Sequence, residues 1–182
     1  MTESSRGRTA RTLAITTAVL ASVALSGCNS TAKARPLGEQ VNTRFYSLVE
    51  GTEQGPGTVT VTGVRVGDVA DLDAGGFELE PDQRRTMPHY VDITFTNTGN
   101  VPVDLRDPSG VDQDGELVTS LRVLELGRSS TFEPCPLLPD TLRPGRSVDG
   151  CAIVLVPYGV ELQRISYLPD VGEDFVYWQS GL

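Results

Sequence analysis

His89 is the first residue to examine for chemistry, because it is the only histidine in the chain. Any histidine-dependent catalysis or imidazole metal site has to use this side chain. The chain contains no Gly-x-Ser-x-Gly, His-Glu-x-x-His or phosphate-loop pattern. The alternation of Val91, Ile93 and Phe95 places His89 on the inward face at the start of a strand. We therefore predict a structural histidine, no catalytic residue and no cofactor, with a hydrolase at His89 as the weakest alternative.

An acidic segment between residues 107 and 116 suggests a second kind of chemistry. Its carboxylates belong to Asp107, Asp112, Asp114 and Glu116. Clustered carboxylates favour hard cations, so calcium is a hypothesis for this segment. The EF-hand register fails, because Gly110 and Leu121 would occupy its first and last ligand positions. Since Asp-Pro and Asp-Gly are ordinary turn formers, we predict turns on an acidic surface and no metal, and keep calcium as the alternative.

Cys28 closes an apolar run that follows three arginines. Arg6, Arg8 and Arg11 precede about a dozen mostly apolar residues, which is shorter than the roughly 20 needed to span a bilayer. The run ends in Leu25-Ser-Gly-Cys28. This motif resembles the lipobox of bacterial lipoproteins, and the resemblance implies a diacylglyceryl thioether on Cys28 and anchoring at the extracytoplasmic face of the cell membrane. An ordinary signal peptide that contains a cysteine is the alternative.

Cys135 and Cys151 remain as a pair once Cys28 is assigned to lipid. In an oxidising compartment an even pair favours a disulfide. Closing a loop of about 15 residues contributes about 3 kcal/mol in the chain-entropy account. A metal or reactive-thiol pair is the alternative, although the spacing matches no short Cys-x-x-Cys motif. The surrounding segment, residues 129–140, is then either a stapled loop or a functional insert.

The charge of the chain restricts its partners. Removing residues 1–27, which carry three arginines and one glutamate, changes the net charge from −9 to −11. A protein this acidic lacks the basic surface that neutralises phosphates, so we predict no nucleic-acid partner. The membrane, reached through the N-terminal lipid, and an envelope protein or cell-wall component are the expected partners.

Alternating apolar residues predict about seven to nine strands in the mature chain. The clearest lie over residues 58–66, with a bulge at Gly63, and over residues 89–97. The continuously apolar run over residues 151–156 predicts a central strand covered on both faces. Together with frequent turns and no helical pattern in the core, these strands predict an all-β antiparallel sandwich, with a barrel as the alternative. The aromatic residues near the C-terminus either fill its core or line a carbohydrate or peptide groove.

Two features resemble the immunoglobulin-like domains of unknown function on secreted and lipid-anchored proteins of high-GC Gram-positive bacteria. They are the strand Tyr90-Val-Asp-Ile-Thr-Phe-Thr-Asn-Thr-Gly99 and the Pro144-Gly145 turn that leads into a strand ending at Val156-Pro157. The resemblance covers roughly residues 57–178 and implies an immunoglobulin-like sandwich, but no activity. The cysteine pair is not part of that pattern.

The expected organisation therefore has three parts. Residues 1–27 form a lipoprotein signal peptide, residues 28–56 a lipidated N-terminus and flexible tether, and residues 57–182 the sandwich. We predict a lipid-anchored, non-enzymatic module for interaction with a protein or the cell wall. A small-ligand or calcium-binding accessory protein of the envelope is the alternative function.

Overall fold

The computed structural model of the chain describes residues 33–48, 54–121, 132–169 and 174–182. Ten strands, one short α-helix and one 3-10 turn at Gln83–Arg85 lie in these residues. The elements are β1 (Val41–Tyr46), β2 (Gln54–Val66), α1 (Val69–Ala74), β3 (Thr86–Asn97), β4 (Val103–Asp104), β5 (Ser109–Asp112), β6 (Leu117–Val118), β7 (Thr141–Leu142), β8 (Ser147–Pro157), β9 (Leu162–Tyr167) and β10 (Val176–Gln179).

Two four-stranded sheets form the sandwich. The first has the order β1-β2-β3-β8, the second has the order β10-β9-β5-β6, and every pairing in both is antiparallel. β4 and β7 form a small additional pair. The predicted all-β antiparallel sandwich is confirmed.

The inward faces of the two sheets share one apolar core. The first sheet contributes Val59 and Val61 from β2 and the alternate residues Val91, Ile93 and Phe95 from β3. The second sheet contributes large side chains that are 1% exposed or less, namely Ile165, Tyr167 and Trp178. Burial of one such side chain contributes on the order of 1.5–3 kcal/mol, so this layer is the main stabilising contact between the sheets.

A bulge at the position predicted from Gly63 keeps β2 on the core. Val61 pairs with Ile93 and Gly63 pairs with Asp92, so Thr62 is the extra residue. An extra residue reverses the alternation of side chains along one strand. Val64 and Val66 therefore continue the inward row that Val59 and Val61 begin.

The outward face of β3 and β8 is covered by a second apolar cluster. Tyr90 of β3 and Ile153 of β8 pack there against Leu72 of α1, Leu79 and Phe132. This layer explains why residues 151–156 are apolar without alternation, since both faces of β8 are buried. The prediction of a central position is wrong: β8 is the last strand of its sheet, and isolated bridges at Leu137 and Ser120 pair its outer edge.

The tether predicted over residues 28–56 is wrong for residues 33–48, which belong to the sandwich. β1 pairs with β2 from Val41 opposite Val59 to Tyr46 opposite Gln54. Phe45 is fully buried in the core, where its ring meets Phe95 edge-on at 5.8 Å. Thr43 occupies an inward position of β1, so the alternation lacks an apolar residue there and the sequence suggests a tether instead. The compact unit extends over Ala32–Leu182 and so begins well before residue 57.

The helix α1 was not predicted. Asp68 begins it with a capping box, in which its side chain accepts a hydrogen bond from the Ala70 N–H at 2.8 Å and its own N–H donates to Asp71. Such reciprocal bonds satisfy backbone donors that the first turn leaves unpaired. The helix buries Leu72 against the outward face of the first sheet, and its six residues are too few to show a helical period.

Candidate binding groove at one end of the sandwich

An open groove lies at the end of the sandwich where β2 ends and β3 begins. There the inward row of the first sheet continues past the shared core through Val66 and Met87. These apolar side chains remain 54% and 37% exposed. The groove thus exists because the inner face of the first sheet continues beyond the side chains of the second sheet that would cover it.

The opposite wall of the groove comes from the second sheet. It comprises the start of β9, the residues after β10 and the turn between β8 and β9, and the groove encloses about 790 Å³. Gly159 has a φ of +83° in that turn, where the Val160 N–H donates to the Pro157 carbonyl at 3.1 Å. Only glycine adopts this backbone conformation readily. The volume lies within the 300–1,000 Å³ typical of small-molecule sites.

His89 lies in the wall of the groove and is 5% exposed. Its Nδ1 lies 2.9 Å from the Met87 carbonyl oxygen. A carbonyl cannot donate, so Nδ1 carries the proton and Nε2 is the acceptor nitrogen of the neutral ring. Burial lowers the pKa of His89 below its ordinary value, against a smaller opposing effect of the Met87 hydrogen bond. The ring is therefore neutral at pH 7, and among the described residues Nε2 has no hydrogen-bond partner.

Polar side chains of β9 and β10 form the rim of the groove. Arg164 of β9 lies opposite Gln179 of β10, and Gln163 precedes it. The Arg164 guanidinium lies over the Tyr177 ring, 5.1 Å from its centroid. In the described ranges it forms no ion pair with a carboxylate. Because Arg164 and Tyr177 lie on the side of their strands opposite to the buried pair Ile165 and Trp178, the guanidinium lies on the outward face of the second sheet and not over the apolar floor.

The N-terminal residues of the domain enter the sandwich beside the groove. Ala34 lines the groove, and Arg35 is bonded to β10 through its N–H to the Tyr177 carbonyl at 2.9 Å and its carbonyl from the Gln179 N–H at 2.8 Å. The chain then passes Glu39, whose carbonyl accepts the Trp178 indole N–H at 2.9 Å. Residues 34–46 thus lead from the groove toward the opposite end of the sandwich.

A larger depression of about 920 Å³ lies next to the groove and shares Pro157 and Val160 with it. Its walls are the segments 81–86 and 117–121, and Asp112 contributes from β5. One wall ends at Leu121, beside residues 122–131, which lie outside the described ranges.

The acidic segment proposed for calcium forms the turn between β5 and β6. Asp112 Oδ1 accepts the backbone N–H groups of Asp114 at 2.9 Å and Glu116 at 2.8 Å, and Gly115 has a φ of +85°. This is the turn arrangement predicted as the main interpretation of these residues. Across the described part of the chain, no three acidic, histidine or cysteine side chains converge on a cation position. Asp107, Asp112, Asp114 and Glu116 are thus not brought together around one point.

The predicted disulfide between Cys135 and Cys151 is confirmed. Both cysteines are 1% exposed or less. The bond holds the segment from Phe132 on the outward face of the first sheet, where Phe132 meets Tyr90 edge-on at 5.8 Å. Arg65 adds a second attachment: it donates to the Pro134 carbonyl at 2.9 Å while it pairs with both carboxylate oxygens of Asp92 at 2.8 Å. The described part of the insert, from Phe132 onward, is thus a stapled cover of the second apolar cluster.

The aromatic residues near the C-terminus divide between core and surface. Tyr167 and Trp178 are buried, and burial raises the pKa of the Tyr167 hydroxyl far above its ordinary value. Phe175 and Tyr177 stack with ring centroids 6.0 Å apart on the outward face of β10. Most of the aromatic mass therefore fills the core, as sandwiches require, while Tyr177 and the Arg164 guanidinium above it lie on the outward face of the second sheet.

Cys28, the lipidation residue implied by the lipobox resemblance, lies outside the described residues. No helix within the described ranges has the length and apolar character to cross a bilayer.

No protein-family model matches the chain, and no curated protein sequence matches it. Among solved structures, the chain is similar to the yjhA protein of Bacillus subtilis, with 16% sequence identity and a TM-score of 0.43. The match covers 80% of this chain and 98% of that one.

Proposed function

We propose that this protein is a non-enzymatic binding module of the cell envelope, anchored to the extracytoplasmic face of the cell membrane by lipid on Cys28. The groove at the end of the sandwich is its binding site for an envelope component. The observation that carries this proposal is the exposure of Val66 and Met87 on an inward face that is otherwise buried. Apolar floors with a few convergent polar groups are typical of ligand sites.

The surroundings of His89 support binding rather than catalysis. A general base needs a nucleophile or substrate proton within reach and a group that orients the ring. Here the Met87 carbonyl orients Nδ1, and no serine, threonine or cysteine side chain of the described residues hydrogen-bonds to the ring. Nε2 is thus available as an acceptor for a ligand hydroxyl.

The buried disulfide supports a location outside the cytosol. Stable structural disulfides form in oxidising compartments and are rare in reducing ones. Cys135 and Cys151 are paired, which leaves Cys28 as the only cysteine available for lipid. The cysteine arrangement therefore agrees with the compartment implied by the lipobox resemblance.

Metabolic labelling with an alkyne fatty acid tests the anchor. The full chain is expressed in a Gram-positive host, and the mature protein is examined by gel fluorescence and by mass spectrometry of its N-terminal peptide. We expect a label and an N-terminus at lipid-modified Cys28, with complete loss of the label in Cys28→Ser. The Cys135→Ala/Cys151→Ala variant is the matched control and keeps the label. A labelled Cys28→Ser protein, or a mature wild-type N-terminus elsewhere, would contradict the anchor.

Photocrosslinking in intact cells tests the groove. A photoreactive side chain replaces Met87 in one variant and Leu48 in the other. Leu48 is a matched control because it is 49% exposed and follows β1 at the opposite end of the sandwich. We expect adducts from position 87 and none above background from position 48. Equal adduct yields at both positions would contradict the assignment of the groove as the binding site.

A further inference from the structure

We propose that the outward face of the second sheet is a docking surface for another protein, and that a carboxylate of this partner binds at Arg164. The surface consists of Arg164, Tyr177, Phe175 and Leu117, and we call it the outer face. It points away from the inward floor of the groove. The inference therefore goes beyond the proposed function and does not rest on it.

The register of the second sheet brings the outer face together from all four of its strands. One row of paired residues crosses β10, β9, β5 and β6 and consists of Gln179, Arg164, Val111 and Leu117. Ile165, the residue after Arg164, is fully buried in the core, so the alternation of side chains directs this row outward. Tyr177 lies two residues before Gln179 and Phe175 two residues before Tyr177, which places both on the same side of the sheet.

The outer face keeps aromatic and aliphatic side chains exposed. Leu117 is 53% exposed and Phe175 is 37% exposed. The rings of Phe175 and Tyr177 stack with centroids 6.0 Å apart, and the Arg164 guanidinium lies 5.1 Å from the Tyr177 centroid. Neither apolar cluster of the described residues includes these side chains. Tyrosine, phenylalanine and arginine are enriched where proteins contact one another, so this composition is typical of an interface.

The outward face of the first sheet provides a comparison within the same domain. Where the second apolar cluster does not cover it, its side chains are polar and bonded across strands. The Thr94 hydroxyl donates to Asp149 at 2.6 Å, and the hydroxyls of Thr96 and Ser147 lie 2.8 Å apart. Such a polar face is usual where an antiparallel sheet faces water. The described outward row of the second sheet contains no carboxylate and carries exposed apolar groups instead, which indicates a contact surface.

The charges on and around the outer face define the chemistry of the partner. Arg164 forms no ion pair with a carboxylate in the described ranges, and an arginine can bind a carboxylate through two parallel N–H groups. The border is acidic, because the Asp114 and Glu116 turn precedes Leu117 and Asp174 lies at the other end. The matching surface therefore has an apolar centre with one carboxylate and a basic border.

A second copy of the chain and a glycan fit the outer face less well. Two copies would oppose acidic borders, and the chain carries a net negative charge. A two-fold contact would also bring Arg164 near its own copy. A sugar ring would need an open aromatic face, but the Tyr177 ring already contacts Phe175 and the Arg164 guanidinium. These properties favour a different protein as the partner.

Photocrosslinking in the cells that produce the protein locates the partner. The photoreactive residue p-benzoylphenylalanine replaces Phe175 in one variant of the full chain and Thr60 in the other. Thr60 is the matched control, because it is a half-buried residue on the outward face of the first sheet. We expect a protein adduct from position 175 that is absent at position 60, and mass spectrometry maps the crosslinked peptide of the partner. Crosslinks from Met87 report the groove, so the two surfaces are tested separately.

Charge reversal with the purified partner then tests the role of Arg164. Arg164→Glu and Leu117→Glu should each weaken binding about tenfold or more, whereas Thr60→Glu should leave the affinity unchanged. Replacing the partner's carboxylate near the crosslink by arginine should restore binding to Arg164→Glu but not to Leu117→Glu. A thermal melt of each variant reports folding independently, and Leu117 is exposed enough for its substitution to leave the fold intact.

Three results would overturn the inference while leaving the proposed function in place. The first is a position 175 that yields no adduct, or only adducts to glycan or to a second copy of the chain. The second is an equal yield of the same adduct from position 60. The third is an affinity for the captured protein that neither Arg164→Glu nor Leu117→Glu lowers, which would show that the crosslink reports proximity without docking.

Discussion

Removal of the disulfide is the perturbation whose magnitude follows most directly from the structure. Cys135 and Cys151 are 16 residues apart in sequence, and the chain-entropy relation gives about 3 kcal/mol for a loop of that length. For a domain of about 150 residues, 1 kcal/mol corresponds to about 2–4 °C in Tm. We therefore expect Cys135→Ala/Cys151→Ala to melt about 6–12 °C below the wild type. Alanine is the suitable replacement because both sites are buried and serine would introduce unpaired hydroxyls.

The native fold should survive this substitution. Phe132 still packs on Tyr90, and Arg65 still donates to the Pro134 carbonyl, so the segment keeps two attachments without the covalent bond. Urea unfolding of both proteins, followed by the fluorescence of Trp178, gives the free-energy difference. Far-ultraviolet circular dichroism provides the control for an unchanged strand content.

The alternative outcomes discriminate between explanations. A loss below about 1 kcal/mol would refute the argument that loop closure in the unfolded chain is the main contribution. Loss of strand signal would instead show that the covalent bond is required to cover the outward face of β8. Because both sulfur atoms are buried, we also expect a mild reductant to leave the bond intact until the domain unfolds.

Three further substitutions test other parts of the structure. Asn97→Ala should lower the free energy of unfolding in urea by about 2–4 kcal/mol, because the buried Asn97 amide donates to two carbonyls at 2.8 and 3.0 Å and accepts one backbone N–H. Asn100 is exposed, so the control Asn100→Ala should leave the free energy of unfolding nearly unchanged. Because Phe45 is buried in the core, Phe45→Ala should lower the free energy of unfolding by about 3–5 kcal/mol. Tyr46 is 45% exposed, so Tyr46→Ala should lower it by less than about 1 kcal/mol. Equally small losses in both variants would indicate that β1 is a tether outside the core. Burial lowers the pKa of His89, so the unfolded chain binds the proton more readily than the folded chain does. The free energy of unfolding therefore falls as the pH decreases from about 7 through the folded pKa. His89→Gln should reduce this dependence of stability on pH, and an unchanged dependence would show that other groups cause it.

Residues with a clear period of two were assigned correctly from the sequence. β3 alternates Val91, Ile93 and Phe95 with polar residues, and Gly63 marks a reversal of parity, so both the strand and the bulge were predictable. The disulfide was also predictable, because the chain has three cysteines and the lipobox resemblance at Cys28 leaves a single pair. The strand and the bulge follow from a local residue pattern and the disulfide follows from the number of cysteines, and a single sequence provides both.

Features that depend on distant contacts were not predictable in the same way. β1 owes its structure to Phe45, which packs on Phe95 and Tyr167 from other strands, while Thr43 interrupts its apolar pattern. The helix α1 is too short for a helical period, although Asp68 and Asp71 contain a capping signal that could have located it.

The groove is a feature of the two sheets together. Val66 and Met87 carry the same alternation as buried strand residues, so the sequence predicts that they are covered. Only the relative lengths of the two sheets reveal that these side chains are exposed.

Occupancy of the groove is the most direct test of the account. In a Cys28→Ser background, with Cys135 and Cys151 paired, one introduced cysteine provides the only free thiol for an environment-sensitive fluorophore. Met87→Cys and Leu48→Cys proteins are labelled and titrated with solubilised envelope components. Val66 and Gln54, which bound β2 near these two sites, are separated by roughly 35–40 Å at the strand rise. We predict a saturable emission change at position 87 and none at position 48, whereas no change at position 87 or equal changes at both positions would contradict the groove as the binding site.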